Sequence, residues 1–274
     1  MLPNWYLVQL HLGPIPVNVW GLFVAAGFLV GTWLAVRLAP RAGIAQKDVV
    51  DVAVWAMVAG MLGARLGHVL LYDPAYYLAD PLAILRIWEG GLSSFGGFTG
   101  AVIAAWLFIR KHQTPPLAPP RPISSRGGAS FVRSHIRALV SYTDLLLWPL
   151  MIGWFIGRLG CYAIHDHAGI PCNGYLCVPF PDGVRRLDMG VLDGLLALVI
   201  FLVAWPLRHR FAKRPGAMTA FVCIAYGLGR FTLDFLRVAD ATYLGLTPAQ
   251  YGSVALVMGG AWLAGVGRWH GMKR

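Results

Sequence analysis

Long apolar runs separated by short polar segments dominate the pattern of this 274-residue chain. Seven runs approach the roughly 20 residues with which an α-helix crosses about 30 Å of hydrocarbon. They cover residues 17–39, 49–71, 90–110, 142–162, 188–207, 215–236 and 248–266. Glycines interrupt the third run, and the fifth contains two acids. The pattern predicts an all-α integral membrane protein with about seven transmembrane helices, built as one polytopic domain over residues 1–274.

Three connecting segments have a distinctive composition. Residues 73–88 form a short amphipathic stretch whose aromatic residues suit an interfacial helix at the outer membrane face. The glycines of residues 90–97 predict a broken or re-entrant helix, with close helix packing through small residues as the alternative. Residues 111–141 are rich in Pro, Ser and Arg and lack apolar periodicity, so they predict a flexible cytoplasmic loop.

The Lys and Arg residues are distributed unevenly among the segments that connect the apolar runs. The formal net charge is +11 although only 13% of residues are charged. Sixteen Lys and Arg residues fall in one alternating set of connections and four in the other, which predicts an outside N-terminus and a cytoplasmic C-terminus. Because the basic residues are not interleaved with exposed aromatic residues on a soluble scaffold, nucleic-acid binding is excluded.

Three arginines interrupt the apolar runs, namely Arg65, Arg158 and Arg230. A guanidinium stays ionised, and placing one inside a bilayer costs at least about 2.5–3.5 kcal/mol unless an anion or a polar cavity receives it. These positions therefore indicate an anionic ligand. Arg65 is interpreted as structural, because nothing in its neighbourhood indicates a ligand.

A polar stripe lies on the sixth predicted helix. Tyr226, Arg230, Asp234 and Arg237 follow at spacings that place them on one helical face. An Arg230–Asp234 ion pair that only holds helices together is one interpretation. Because that pair leaves Arg158 unexplained, we favour a phosphate clamp of Arg158 and Arg230, in which Asp234 orients one guanidinium.

Five groups of short motifs occur in a characteristic order. They are Leu12-Gly13-Pro14-Ile15 before Trp20-Gly21-Leu22, Gly63-Ala64-Arg65-Leu66-Gly67 with Tyr72-Asp73-Pro74, Gly90-Gly91-Leu92-Ser93, Gly157-Arg158-Leu159-Gly160, and Tyr226-Gly227-Leu228-Gly229-Arg230-Phe231. Over about residues 12–240 the chain resembles the bacterial prolipoprotein diacylglyceryl transferase family.

The resemblance implies a seven-helix enzyme of the bacterial inner (plasma) membrane that uses no cofactor and no metal. Such enzymes move the diacylglyceryl group of phosphatidylglycerol onto the lipobox cysteine thiol of a preprolipoprotein signal peptide, and glycerol phosphate leaves. Paired guanidiniums suit the charge of that leaving group. By this resemblance Arg158 and Arg230 bind the phosphate and Tyr226 and Asp234 support them. Further substrate-site residues are Arg237, Gly96, Gly97 and Gly169.

The chain departs from the family pattern where chemistry is expected. Phe95 stands where the family commonly has a histidine, Cys161 and Ile164 stand where it has asparagines, and Asp166 replaces a glutamate. Trp20 replaces a tyrosine, and Leu192-Asp193 replaces a Tyr-Glu pair.

The nearest titratable groups to these departures are His165, Asp166 and His167. A histidine here could serve as the base for the acceptor thiol, while a merely hydrophilic outer loop is the alternative.

The cysteines leave further alternatives open. Cys172 and Cys177 lie close together on the predicted oxidising side, so a local disulfide is compatible with their spacing. Cys161 and Cys223 are interpreted as packed thiols. A zinc site built from His165, His167, Asp166 and Cys172 is a weaker alternative, because it lacks repeated ligand pairs. For the whole protein, the alternatives are a divergent relative with another acceptor or no activity, and a non-enzymatic phospholipid transporter or scaffold.

Overall fold

The computed structural model describes residues 6–13, 15–87, 90–111, 127–238 and 242–271. Each of the seven predicted runs contains a helix. The α-helices of the described ranges are α1 Val19–Leu38, α2 Gln46–Leu71, α3 Pro74–Ala79, α4 Ser94–Lys111, α5 Gly127–Ile164, α6 Met189–Phe211, α7 Ala217–Asp234 and α8 Pro248–Gly271.

Four helical segments of the described chain are long and apolar enough to cross a membrane. They are Val19–Ala42, Gln46–Leu71, Ala138–Ile164 and Met189–Phe211. Large apolar side chains such as Leu29, Leu70 and Met258 are exposed, as expected where lipid replaces water as the solvent. The prediction of a mostly helical membrane protein is confirmed, and crossing by seven helices stays a prediction.

Short antiparallel strands correct the all-α prediction locally. Strands β1 (Gln9–Leu12) and β2 (Ile15–Asn18) pair as a hairpin. A second sheet has the order β3-β5-β4 and joins β3 (Ala168–Pro171), β4 (Cys177–Pro179) and β5 (Arg185–Asp188). The sequence signal for the second sheet is Asp182-Gly183 in the turn between β4 and β5, where Gly183 has φ +77°.

The chain divides into two compact units. Unit 1 consists of residues 1–35 and 143–274, and unit 2 of residues 36–142. Within unit 1, α1 crosses α5 so closely that a Cβ added to Gly27 would lie 2.3 Å from the Gly153 carbonyl oxygen. Helix α7 of the same unit packs against α6 and α8. The prediction of one polytopic domain stays a prediction.

Unit 2 is organised by the contact of α2 with α4. A Cβ added to Gly96 would lie 2.2 Å from the Gly63 carbonyl oxygen, so the two backbones touch. Close packing through small residues, the alternative for the glycine-rich segment, is therefore present. Gly90 and Gly91 have φ +90° and +71°, and α4 begins only at Ser94. The re-entrant turn stays a prediction.

The predictions for two connecting segments, residues 73–88 and 111–141, have different outcomes. A short helix does form in the amphipathic stretch, as α3, while its interfacial position stays a prediction. Within the predicted loop, residues 112–126 lie outside the described residues. From Gly127 the chain is helical, so the loop prediction is wrong for residues 127–141. A helix continuous with the apolar run outweighs the polar composition there.

Candidate functional site

Two of the arginines that interrupt the apolar runs meet at one carboxylate inside unit 1. Arg158 on α5 places its Nε 2.6 Å from Asp193 Oδ2 on α6. Arg230 on α7 places Nη1 3.8 Å from Asp193 Oδ1. The Asp193 side chain is fully buried, whereas 14% and 10% of the two arginine side chains are exposed. The predicted convergence of Arg158 and Arg230 is therefore present, with Asp193 between them.

Aromatic side chains complete the surroundings of Asp193. Tyr226 donates its hydroxyl hydrogen to Asp193 Oδ1 at 3.1 Å. Trp154 donates its indole N–H to Asp193 Oδ2 at 3.0 Å, and its ring lies 4.8 Å from the Arg158 guanidinium carbon. Tyr226 thus supports the arginines through Asp193, since a buried carboxylate needs such donors to stay ionised.

A second carboxylate holds the other side of Arg230. Arg230 Nη2 lies 3.0 Å from Asp234 Oδ1, which confirms the predicted pairing. The Thr247 hydroxyl donates to Asp234, and Arg237 Nε lies 3.9 Å from it. We call Arg158, Asp193, Arg230 and Asp234 the arginine cluster. Arg237 lies beside this cluster, through its contact with Asp234.

Hydrogen bonds between α5 and the start of α7 explain why Arg158 and Arg230 lie at the same height along the two helices. Asp144 on α5 accepts hydrogen bonds from the backbone N–H of Gly216 at 2.6 Å and of Thr219 at 2.8 Å, at the start of α7. A carboxylate at this position accepts from N–H groups that have no partner within the helix, and its negative charge interacts favourably with the positive end of the helix dipole. Arg158 follows Asp144 by fourteen residues, and Arg230 follows Gly216 by fourteen. Equal spacing on parallel helices, about 21 Å, aligns them.

The loop after α5 brings His167 next to Arg158. His167 Nε2 lies 3.3 Å from Arg158 Nη1, and its Nδ1 bonds to the Asp166 carboxylate. Cys161 Sγ accepts from Arg158 Nη1 at 3.6 Å. Burial lowers the pKa of His167, but hydrogen bonds to Asp166 and Cys161 and the Asp166 charge outweigh it and raise the pKa to about 9. Asp166 and His167 are thus close enough to act with Arg158.

His165 belongs to a different environment. Its Nδ1 lies 2.9 Å from Asp188 Oδ2, and both side chains are 1% exposed. Asp188 also caps α6 by accepting from the Val191 N–H at 3.1 Å. The prediction that groups His165 with His167 as a base is therefore not supported by the geometry, because His165 is bonded to Asp188 whereas His167 lies beside Arg158.

The four residues of the zinc alternative are not brought together. Cys172 forms a disulfide with Cys177, a pairing that the sequence left open, and His165 is held by Asp188. Cys161, Asp166 and His167 do offer ligand atoms within 4.8 Å of one another. Arg158 lies against this group, and its positive charge opposes a cation there.

Arg65 is enclosed by backbone oxygens in unit 2. Its guanidinium donates to the carbonyls of Ile84 at 3.0 Å and Arg86 at 3.0 Å, and also to those of Ala83, Gly90 and Gly91. The Tyr77 ring lies 5.1 Å from its guanidinium carbon. These contacts fit the structural interpretation.

The glycines predicted at the substrate site have packing contacts. Gly96 touches Gly63, and a Cβ added to Gly97 would lie 3.4 Å from Ala64 Cβ. Gly169 forms a backbone bridge to Arg237, since the chain after α7 pairs with β3. Their part in substrate binding stays a prediction. The side chain of Phe95 lies outside the described part of the structure.

Sequence reasoning missed Asp193, Asp144 and Trp154. In the sequence, Asp193 stands out only as one of two acids in the fifth apolar run and as part of Leu192-Asp193, which replaces the Tyr-Glu pair of the family. A usable signal existed, because an acid inside a predicted span needs a partner as much as an arginine does. No comparable signal identifies Asp144 or Trp154, whose roles depend on which helices are neighbours.

Comparison with known proteins agrees with this architecture. A profile of the prolipoprotein diacylglyceryl transferase family matches residues 7–119 and 127–266. The phosphatidylglycerol–prolipoprotein diacylglyceryl transferase of Nitratidesulfovibrio vulgaris is 32% identical over 273 residues, which cover 96% of this chain and 91% of the relative. Proteins of the same name from Ruegeria pomeroyi and Cupriavidus pinatubonensis are each 31% identical, covering 94% and 89% of this chain and 88% and 83% of the relatives. The chain belongs to the prolipoprotein diacylglyceryl transferase family.

Proposed function

We propose that this protein transfers the diacylglyceryl group of phosphatidylglycerol to the lipobox cysteine of preprolipoproteins, in the bacterial inner membrane. The observation that carries the proposal is the convergence of Arg158 and Arg230 on Asp193. Family membership supports the reaction, since the relatives bear the name of this transferase.

The arginine cluster suits the charge that the reaction creates. The acceptor sulfur attacks the glyceryl carbon bonded to the phosphate oxygen, so a C–S bond forms while that C–O bond breaks. Glycerol phosphate leaves with the bonding electrons. Guanidiniums fixed by Asp193 and Asp234 stabilise this charge without reorganising, which is worth more in a site shielded from water.

The thiol proton needs an acceptor close to the phosphate site. Of the three predicted base residues, His167 lies against Arg158 and is oriented by Asp166. Its pKa is raised to about 9, so the neutral ring is a stronger base than an ordinary histidine, and the fraction of neutral ring grows as the pH rises toward 9. We therefore assign the proton transfer to His167, Asp166 to its orientation, and His165 to the structure.

Membrane topology follows from the distribution of basic residues. Helices α4, α7 and α8 cross the membrane together with the four spans described above, giving seven crossings. The N-terminus then faces outside, the C-terminus faces the cytoplasm, and the arginine cluster lies toward the outer side. Thiol-specific labelling of single cysteines introduced at each end of the chain, from either side of sealed vesicles, tests this orientation.

Transfer is tested with the purified protein in vesicles of phosphatidylglycerol and a synthetic lipobox peptide. Release of glycerol phosphate and the mass of the modified peptide are measured. Arg158→Gln and Arg230→Gln should each lower the rate about 100- to 1,000-fold, the range found for removing one electrostatic stabiliser of a transition state.

A matched control is Arg186→Gln. Arg186 is 18% exposed at its side chain and pairs with the exposed Asp182, so its removal should leave the rate within about twofold. Peptide modification that survives loss of either cluster arginine contradicts the proposed phosphate site. Headgroup binding without any release of glycerol phosphate by the wild type favours a transporter or scaffold. Release with another acceptor, but not with the peptide, favours a divergent transferase.

A further inference from the structure

A thiol, an imidazole and a carboxylate meet beside the arginine cluster, and the transfer reaction uses only two of them. Cys161 lies in the last turns of α5, and Asp166 and His167 follow the end of that helix. One ligand-type atom from each lies within 4.8 Å of the other two. We call these three residues the thiol cluster.

The order of contacts in the thiol cluster is that of an activated nucleophile. Asp166 bonds to His167 Nδ1 and so turns Nε2 of the ring toward Arg158 and away from the carboxylate. Cys161 Sγ lies within 4.8 Å of a ring nitrogen of His167. Nucleophile, base and orienting carboxylate in this sequence define the thiol variants of the catalytic triad.

The electrostatics favour movement of a proton from the sulfur to the ring. The Asp166 and Cys161 contacts raise the pKa of His167 to about 9, despite its burial, which strengthens it as a base. Arg158 Nη1, 3.6 Å from Cys161 Sγ, adds a positive group where a negative oxygen would develop after attack on a carbonyl.

Burial distinguishes the thiol cluster from a hydrophilic loop. Cys161 is 5% exposed, whereas the His167 and Asp166 side chains are 23% and 35% exposed. The cluster therefore extends from the interior of unit 1 to its surface. In the proposed lipid site, the phosphate bound by Arg158 brings the ester groups of the same phospholipid to this region.

We propose that Cys161 is a nucleophile that accepts a fatty acyl group from a phospholipid ester, so that the protein has a second activity as a lipid acyl hydrolase. This inference rests on the proposed lipid site at Arg158, but it does not require the diacylglyceryl transfer itself. The shared residue is Arg158, and the reacting bond is a carboxylic ester instead of a phosphate ester.

The chemical step balances with groups in the cluster. The step starts from the neutral form of the His167 ring: the Sγ proton passes to Nε2 while sulfur bonds to the ester carbonyl carbon. The ester C–O bond then breaks, and His167 returns the proton to the departing lysophospholipid oxygen. Water, deprotonated by His167, attacks the thioester, the C–S bond breaks, and fatty acid leaves as the thiol regains its proton.

The test uses the full-length protein in phosphatidylglycerol vesicles without any peptide. Fatty acid and lysophospholipid are quantified, and acid-quenched samples are analysed by mass spectrometry for an acyl group on Cys161. Hydroxylamine at neutral pH should remove that group, since it cleaves thioesters and not thioethers. The wild type should release fatty acid, and His167→Ala should slow release about 100-fold or more.

Two cysteine variants provide the comparison. Cys161→Ser should abolish the thioester, while Cys223→Ser, which removes the other free cysteine of the described chain, should leave both adduct and release unchanged. Thermal unfolding of each variant separates loss of reactivity from loss of folding.

Three results would overturn the inference. One is the absence of both adduct and fatty acid in the wild type. Another is an unchanged rate of release in a folded Cys161→Ser protein. The third is a hydroxylamine-resistant diacylglyceryl adduct on Cys161, which would mean alkylation at the glyceryl carbon. Glycerol phosphate release with the lipobox peptide is measured in parallel, so failure here is distinguishable from failure of the proposed transferase.

Discussion

The protein buries arginines in two different ways. In unit 2, Arg65 is 5% exposed and donates to five backbone carbonyls of residues 83–91. In unit 1, Arg158 and Arg230 share the carboxylate of Asp193 and keep part of their side chains exposed. Both regions obey the rule that a buried charge must be received by oxygen atoms.

The two regions differ in the partners of the guanidinium nitrogens. All three nitrogens of Arg65 point at neutral carbonyls, so the residue holds a turn in place as a multiple donor. Arg158 uses Nε for Asp193 and directs Nη1 toward Cys161 and His167. A buried arginine is therefore structural when backbone satisfies it. Arg158 and Arg230, by contrast, are held by carboxylate side chains, which is the arrangement on which the proposed phosphate site rests.

The largest effect on stability should come from Arg65. Arg65→Met removes the common donor of five carbonyls, each of which is costly to leave unsatisfied when buried, and should destabilise the protein by roughly 3 kcal/mol or more. The midpoint of thermal unfolding in detergent measures this. Arg86→Gln is the control, because its pair with Asp80 at 3.2 Å is more than one-third exposed at both side chains. A folded Arg65→Met protein with an unchanged midpoint would contradict the structural role.

A smaller effect is expected at the helix contact of the same unit. In Gly63→Ala the new Cβ would lie 2.4 Å from the Gly96 carbonyl oxygen, and moving two backbones apart should cost about 1–3 kcal/mol. In Gly60→Ala, on the same helix, the nearest atom is 3.4 Å away, so the substitution should be neutral or slightly stabilising. Equal unfolding midpoints for the two variants would argue against this crossing of α2 and α4.

The third effect should be a pH-dependent one beside the arginine cluster. Folding raises the pKa of His167 from 6.5 to about 9, so its contribution to stability is complete below pH 6.5 and disappears as the pH rises through about 9. Unfolding midpoints of wild type and His167→Gln should therefore differ most at pH 6.5 and below, and converge above pH 9. His209→Gln, at an exposed position of α6, should not alter this dependence. If the difference between the two unfolding midpoints grew as the pH rises, this prediction would be contradicted.

Helix positions followed from the sequence because lipid selects for uninterrupted apolar runs. Every predicted run contains a helix, but the strands at 168–188 and the helical start of α5 at Gly127 were not predicted. The start of α5 is helical because it continues into the apolar run that follows it. The strands instead form through hydrogen bonds between residues that are distant along the chain. Pairing of β3 with the chain after α7 is one such contact, made between Ile170 N–H and the Leu236 carbonyl at 2.9 Å.

The candidate site was predicted in part. Arg158, Arg230 and Asp234 were found because an ionised group is conspicuous among apolar residues. Asp193 was overlooked although the same argument applies to it. His165 and His167 could not be separated by sequence, because a difference of two positions decides which of them faces Asp188 and which faces Arg158.

The amino-acid sequence by itself determined that the protein is helical and apolar enough for a membrane, to which family it belongs, and which arginines require an oxygen partner. Those properties depend on composition and on spacing along one helix, which are local. Only the tertiary structure decided that Asp193 joins Arg158 to Arg230, that Arg65 serves backbone carbonyls, and that Cys161 meets His167 and Asp166. Each of these contacts depends on which elements become neighbours in space, and no spacing along a single helix specifies that.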